Sequence, residues 1–230
     1  MEPKLNYFQT LKYVIALLMI AVVFSCGQDG SDLQGTWIGG RVVQDGETRI
    51  GLMTTPLVNI LGDSIECKIV SDRKEATLLE YRHTLEFGEK KLFIEDTDSE
   101  FDYHFMGNDS VSVQNSAISD KEMIFYRLNK AETLQKRVLF GEKFEFVGNK
   151  GDKVEMNFLN DSICEESVAN RKNVKKMTWE IIDLKSHSFL VLRDAIGPIV
   201  LHVDSIKNDG EEILLSVYPG PKLFNYRRID

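Results

Sequence analysis

The chain has 230 residues, of which 43% are hydrophobic and 28% charged, a balance suited to one or two packed domains rather than to a largely disordered chain. Its 28 Lys and Arg stand against 36 Asp and Glu, giving a net charge of −8. That balance argues against nucleic acid as a partner, because such surfaces are basic.

The N-terminus reads as an export signal. Lys4 and Lys12 lie in a polar lead, and residues 13–24 are almost wholly apolar. That run suits a signal sequence and is short of the roughly 20 residues that a membrane span needs. It ends in Val23-Phe24-Ser25-Cys26. A small residue directly before Cys resembles the lipobox of bacterial lipoproteins, although Phe24 departs from the small residue usual there. The resemblance implies cleavage after residue 25, lipidation of Cys26 and anchorage to the membrane through it, because several acyl chains hold a protein stably on a bilayer. By the sorting rules of such lipoproteins, Gly27 rather than Asp after the Cys implies the outer membrane, in either leaflet. Residues 1–25 are then signal peptide and 26–34 a flexible tether, polar and rich in glycine.

The mature chain contains an internal repeat. Val58-Asn59-Ile60-Leu61-Gly62-Asp63-Ser64-Ile65 returns as Met156-Asn157-Phe158-Leu159-Asn160-Asp161-Ser162-Ile163, an offset of 156 − 58 = 98. Val70, Arg73 and Lys74 fall on Val168, Arg171 and Lys172 at the same offset, and Tyr126-Arg127 matches Tyr226-Arg227 two residues later. Residues 35–130 therefore form a first β unit and 138–230 a divergent copy, joined by a polar linker, 131–137.

Strand patterns fill both units. In the first they cover 37–43, 48–54, 57–61, 64–70, 76–87, 91–95, 101–105, 111–113 and 123–128, with 76–85 ambiguous between strand and helical turn. In the second they cover 144–147, 154–159, 162–168, 177–183, 189–193, 199–203, 213–218 and 223–228. Turn signals every eight to twelve residues indicate an all-β fold of two tandem antiparallel units, each barrel-like or sandwich-like; one larger sheet structure built from two halves is the alternative. About 95 residues is small for an eight-stranded barrel, so side chains are able to fill the interior and leave no room for a ligand.

Leu33-x-Gly35-x-Trp37 opens the first run of strands and Arg127 lies in its last. This pattern resembles the lipocalin-like domains of bacterial lipoproteins. The resemblance implies that Trp37 packs across one barrel end under Arg127, with Gly35 as part of the motif. The second unit keeps Leu139 and Gly141 but has Phe144 where a Trp is expected.

No residue set for catalysis stands out. Gly62-Asp63-Ser64-Ile65 resembles the nucleophile block of GDSL-type esterases, but the late Asp-x-x-His that such enzymes require is missing, and a turn explains these residues. Asp96, Asp98, Glu100 and Asp102 alternate as a solvated acidic hairpin, with Phe101 where a Ca²⁺ loop needs Gly. His104 and His202 coincide at the 98-residue offset, whereas His83 and His187 have no repeat partners. Residues 171–176 form a basic loop suited to anionic lipid or an acidic partner. Cys67 falls on Glu165 and Cys164 on Glu66, which places the thiols on opposite strand faces and argues against a bridge. No cofactor or metal motif is present, and none is expected. The expected function is a non-enzymatic binding protein of the cell envelope for a small hydrophobic ligand. The alternative is a structural or accessory module that meets another envelope protein with filled β cores.

Overall fold

The computed structural model describes residues 31–44, 47–49, 54–71, 78–88, 90–95, 99–115, 120–169, 171, 173–218 and 222–229. The export signal and Cys26 lie outside them, as do Arg73, Lys74, Asp96, Asp98 and Lys172. Among the described residues, no helix is long and apolar enough to cross a membrane.

Two closed eight-stranded antiparallel barrels make up the fold. The first runs through β1 (Gly35–Gln44), β3 (Thr54–Leu61), β4 (Ser64–Ser71), β5 (Leu78–Gly88), β6 (Lys91–Ile94), β7 (Ser99–Gly107), β8 (Ser110–Gln114) and β9 (Glu122–Arg127), with the short β2 (Glu47–Arg49) paired to the end of β1. The second runs through β10 (Lys143–Val147), β11 (Lys153–Phe158), β12 (Ile163–Val168), β13 (Val174–Leu184), β14 (His187–Arg193), β15 (Pro198–Lys207), β16 (Glu212–Val217) and β17 (Lys222–Ile229). Pairing of β1 with β9 and of β10 with β17 closes each sheet into a barrel. The ambiguous stretch is strand from Leu78 onward, because it pairs antiparallel with β4 over residues 78–84. A short helix, α1 (Lys136–Leu139), precedes β10.

The two barrels share a register. Trp37 stands opposite Val58 and Arg127, while Phe144 stands opposite Met156 and Arg228. The 98-residue offset joins β3 to β11 but does not persist. The turn between Leu61 and Ser64 is one residue shorter than its counterpart, so Cys67 faces Val58 and Glu166 faces Met156, an offset of 166 − 67 = 99. Both thiols consequently point inward, Cys67 within the first barrel and Cys164 in the core of the second, not to opposite faces as the constant offset implies. They are free thiols in separate barrels. By β15 the offset is 100. Asp102 opposite Gln114 corresponds to His202 opposite Ser216, so the His104–His202 pairing is a coincidence of spacing. His104 is exposed and His202 is buried. The counterpart of Arg127 is Arg228, not Arg227, because Arg228 is the residue opposite Phe144.

A third apolar cluster joins the barrels. Outward-facing Ile38, Leu57 and Val70 of the first pack with Ile182, Leu184, Phe189, Val191 and Val200 of the second, and Tyr126 meets Tyr218 at 5.6 Å. Lys185 reaches Glu66 across this seam at 2.9 Å, and this ion pair holds the Glu66 carboxyl below its ordinary pKa. Thr36 donates a hydrogen bond to Asn59 at 2.9 Å on the outer face of β1 and β3, so the Asn of the repeat is a satisfied buried polar group.

Each barrel contains one of the chain's two tryptophans, Trp37 and Trp179. In single-Trp variants, both reporters follow one urea transition while the seam is intact. Phe189→Ala is expected to cost about 3 kcal/mol and to separate the two fluorescence transitions, as cavity formation at a fully buried ring requires. Coincident transitions in that variant would show that the seam does not couple the barrels.

Candidate functional site

One end of the first barrel is plugged. The backbone turns into β1 through a 3-10 helix, Ser31–Leu33, and through Gly35 at φ +123°, a conformation that favours glycine. Leu33 thereby enters the core, and its carbonyl accepts a hydrogen bond from Trp37 Nε1 at 2.8 Å. The Arg127 guanidinium lies 4.3 Å above the Trp37 ring. It donates to the Gln34 carbonyl at 2.7 Å and also to the Asp32 carbonyl. Gly35, Trp37 and Arg127 are thus assembled in one place, with the cation covering the ring. The second barrel repeats the arrangement in weaker form. Leu139 is buried, Gly141 has φ +77°, and Arg228 lies 5.9 Å over Phe144.

Above the plug, the first barrel encloses a cavity of about 250 Å³. Trp37, Val58, Ile60, Leu85, Val111 and Phe125 are among its walls, and Cys67, Tyr81 and His83 bring the few polar atoms; among the described residues no Lys, Arg, Asp or Glu lines it. Burial pushes the Cys67 thiol up to about 11, so it remains protonated and unreactive at neutral pH. Tyr81, 43% exposed, marks where the cavity reaches the surface, and its ring stacks on His83 at 6.3 Å. Here β5 pairs with β4 over residues 78–84, whereas β6 pairs only with residues 85–88. Tyr81 and His83 therefore lie on a stretch of β5 that β6 does not flank.

The second barrel is filled at the corresponding positions. The register sets Met156 where the first barrel has Val58, Phe158 for Ile60, Trp179 for Leu85 and Leu215 for Val113. Phe158 and Trp179 meet edge-to-face at 5.1 Å, and Phe144 packs on Phe158 at 5.9 Å. Bulkier inward side chains occupy the space that the smaller wall residues of the first barrel leave open.

The residues weighed for chemistry are dispersed. Ser64 pairs with Thr84 and His83 with Ile65, so Ser64 and His83 project from opposite faces of the sheet. Gly62 has φ +61° in a tight hairpin, and the Asn160 side chain accepts hydrogen bonds from Ser162 and Ile163 in the copy; both are turns. Glu100 and Asp102 flank Lys91. Arg171 and Lys175 of the basic loop pair with Asp152 and Asp194. Among the described residues no group of three or more His, Cys, Asp or Glu is arranged to hold a metal.

A buried histidine pair, absent from the repeat pattern, lies on the outer face of the second barrel. His187 Nδ1 and His202 Nε2 are 3.0 Å apart, and His202 Nδ1 is 3.2 Å from Asp204. His187 also hydrogen-bonds the backbone of Lys130, while Ser188 binds the backbone of Glu132 and Leu134, so the inter-barrel linker is strapped along β14. The spacing of 15 residues between the histidines carries no local signal; only the β14–β15 pairing brings them together.

No family model matches the sequence, and no curated protein or solved structure is significantly similar to it.

Burial and the neighbouring His202 lower the His187 pKa to about 4, against the opposing effect of the Lys130 hydrogen bond. Between the unfolded value of roughly 6.5 and 4, the unfolded chain binds a proton that the native chain refuses, so stability falls as pH drops through this window. In urea unfolding at pH 7 and pH 5, the loss is expected to be smaller for His187→Gln than for the wild type. Equal losses would show that His187 does not titrate in this way.

Proposed function

We propose that this chain is a lipid-anchored binding protein of the bacterial cell envelope, held at the outer membrane through lipidated Cys26, whose first barrel carries a small hydrophobic ligand. The observation that supports this reading is the apolar cavity of about 250 Å³ in the first barrel, beside a second barrel that is packed at equivalent positions. Retaining an unfilled interior costs dispersion contacts and cavity energy, which a ligand restores. The stack of Arg127 on Trp37 beneath the cavity agrees with a lipocalin-like unit.

The walls define the ligand class. A carboxylate or ammonium inside would have no charged partner among the described residues, and desolvating it unpaired is prohibitive. The ligand is therefore uncharged. A cavity of roughly 150 Å³ accommodates benzene, so this one takes a molecule of about ten non-hydrogen atoms, with the Tyr81 hydroxyl at its mouth beside any polar group. A sterol or a phospholipid with both its chains exceeds that volume.

Two experiments test the proposal. Naphthalene binding to the chain from residue 27 onward, followed by native mass spectrometry and fluorescence, is expected to saturate at one per chain. The variant Val58→Met with Leu85→Trp imports the filling of the second barrel and is expected to abolish binding, at an overpacking cost of about 1–3 kcal/mol and with an unchanged β circular-dichroism spectrum. A folded variant that still binds would rule out this cavity as the site. For the anchor, the full-length chain is expected to enter the detergent phase of a cloud-point extraction and Cys26→Ser to remain in the aqueous phase. Equal partition of the two would exclude lipidation at Cys26.

A further inference from the structure

The open end of the second barrel, opposite Phe144 and Arg228, holds a cup of about 340 Å³. Its floor and walls are apolar, with Met156, Leu192, Leu201 and Val217, and three aromatic rings gather on one side. Phe146 stacks on Tyr226 at 4.4 Å and meets Phe224 edge-on at 5.6 Å. Among the described residues, Glu166 is the one charged side chain lining the cup. Its position in the register is that of Cys67 in the first barrel, so the two cavities differ in charge at one equivalent inward position.

Glu166 makes no hydrogen bond or ion pair among the described residues. Its cross-strand neighbour Lys175 is engaged with Asp194. The other nearby ammonium, Lys222, lies 5.8 Å from the centre of the Phe224 ring. Burial raises the Tyr226 phenol, and the Glu166 carboxylate raises it further, which places that negative charge against the aromatic wall. A half-buried carboxylate among apolar groups has lost part of its hydration, here with no ion-pair partner among the described residues, and the aromatic faces beside it favour positive charge.

We propose that this cup is a second binding site, separate from the cavity of the first barrel, that takes a small organic cation with an apolar body. Glu166 provides the counter-charge, and Phe146, Phe224 and Tyr226 provide the aromatic wall. The ammonium sits at Glu166 and the apolar body rests against Leu192, Leu201 and Val217. The reading of the first barrel is not needed for this assignment, since the two sites lie in different barrels.

The test uses phenyltrimethylammonium as probe and phenylacetate as its anionic counterpart, titrated calorimetrically into the full chain in a nonionic detergent. The cation is expected to bind with one-to-one stoichiometry, phenylacetate not at all, and added salt should weaken binding. Glu166→Gln keeps the shape of the side chain and is expected to weaken the cation at least tenfold; Phe224→Leu keeps an apolar wall and should weaken it several-fold. Circular dichroism establishes that both variants are folded. Naphthalene binding should be unchanged by Glu166→Gln, and the cation should bind the filled first-barrel variant normally. Absence of saturable binding of the cation to the wild type up to millimolar concentration would overturn the assignment. So would equal affinity for phenylacetate, or cation affinity unchanged in a folded Glu166→Gln variant.

Discussion

Closure of each sheet on itself is the constraint on which the rest depends. Once β1 pairs with β9 and β10 with β17, every strand has two neighbours and the barrel wall is fixed. The inward side chains then have to share a small volume, and the barrel cannot collapse to suit them without breaking its hydrogen bonds. Each end at which first and last strands meet is sealed by the same device, an aromatic ring under an arginine. Trp37 under Arg127 is the tight version, with the guanidinium also satisfying two backbone carbonyls. Phe144 under Arg228 is the looser one.

With the wall fixed, volume at a few inward positions separates the two barrels. Val58, Ile60 and Leu85 leave the first hollow, whereas Met156, Phe158 and Trp179 fill the core of the second. The filled barrel leaves only a cup at its far end, where Glu166 replaces the inward Cys67 of the first. One architecture used twice thus presents an uncharged interior in one copy and a carboxylate-bearing mouth in the other. The two barrels have this physical freedom to differ because inward residues at the open ends carry little of the closure.

The outer faces are specialised too. An isolated barrel would expose Ile182, Phe189 and Val191, yet each is buried because Ile38, Leu57 and Val70 of the other barrel cover them. The linker lies along the same flank, held through His187 and Ser188. The buried His187–His202–Asp204 chain is therefore part of how the second barrel holds the connection to the first, with His187 Nδ1 paired to His202 Nε2 and His202 Nδ1 to Asp204.

The sequence by itself determined the all-β class, the two tandem units and nearly every strand. Alternation, turn residues and a recurring Asn-x-Leu-x-Asp-Ser-Ile are local signals, readable without knowing what lies across the sheet. Tertiary structure alone decided three matters. The inward direction of both Cys67 and Cys164 depended on a single extra turn residue, since a slip of one reverses the face of a strand. The equivalence of Asp102 rather than His104 with His202 depended on offsets accumulated over several turns. Whether a barrel is hollow depended on the summed volume of residues tens of positions apart, brought to one interior by closure; no local window contains that sum.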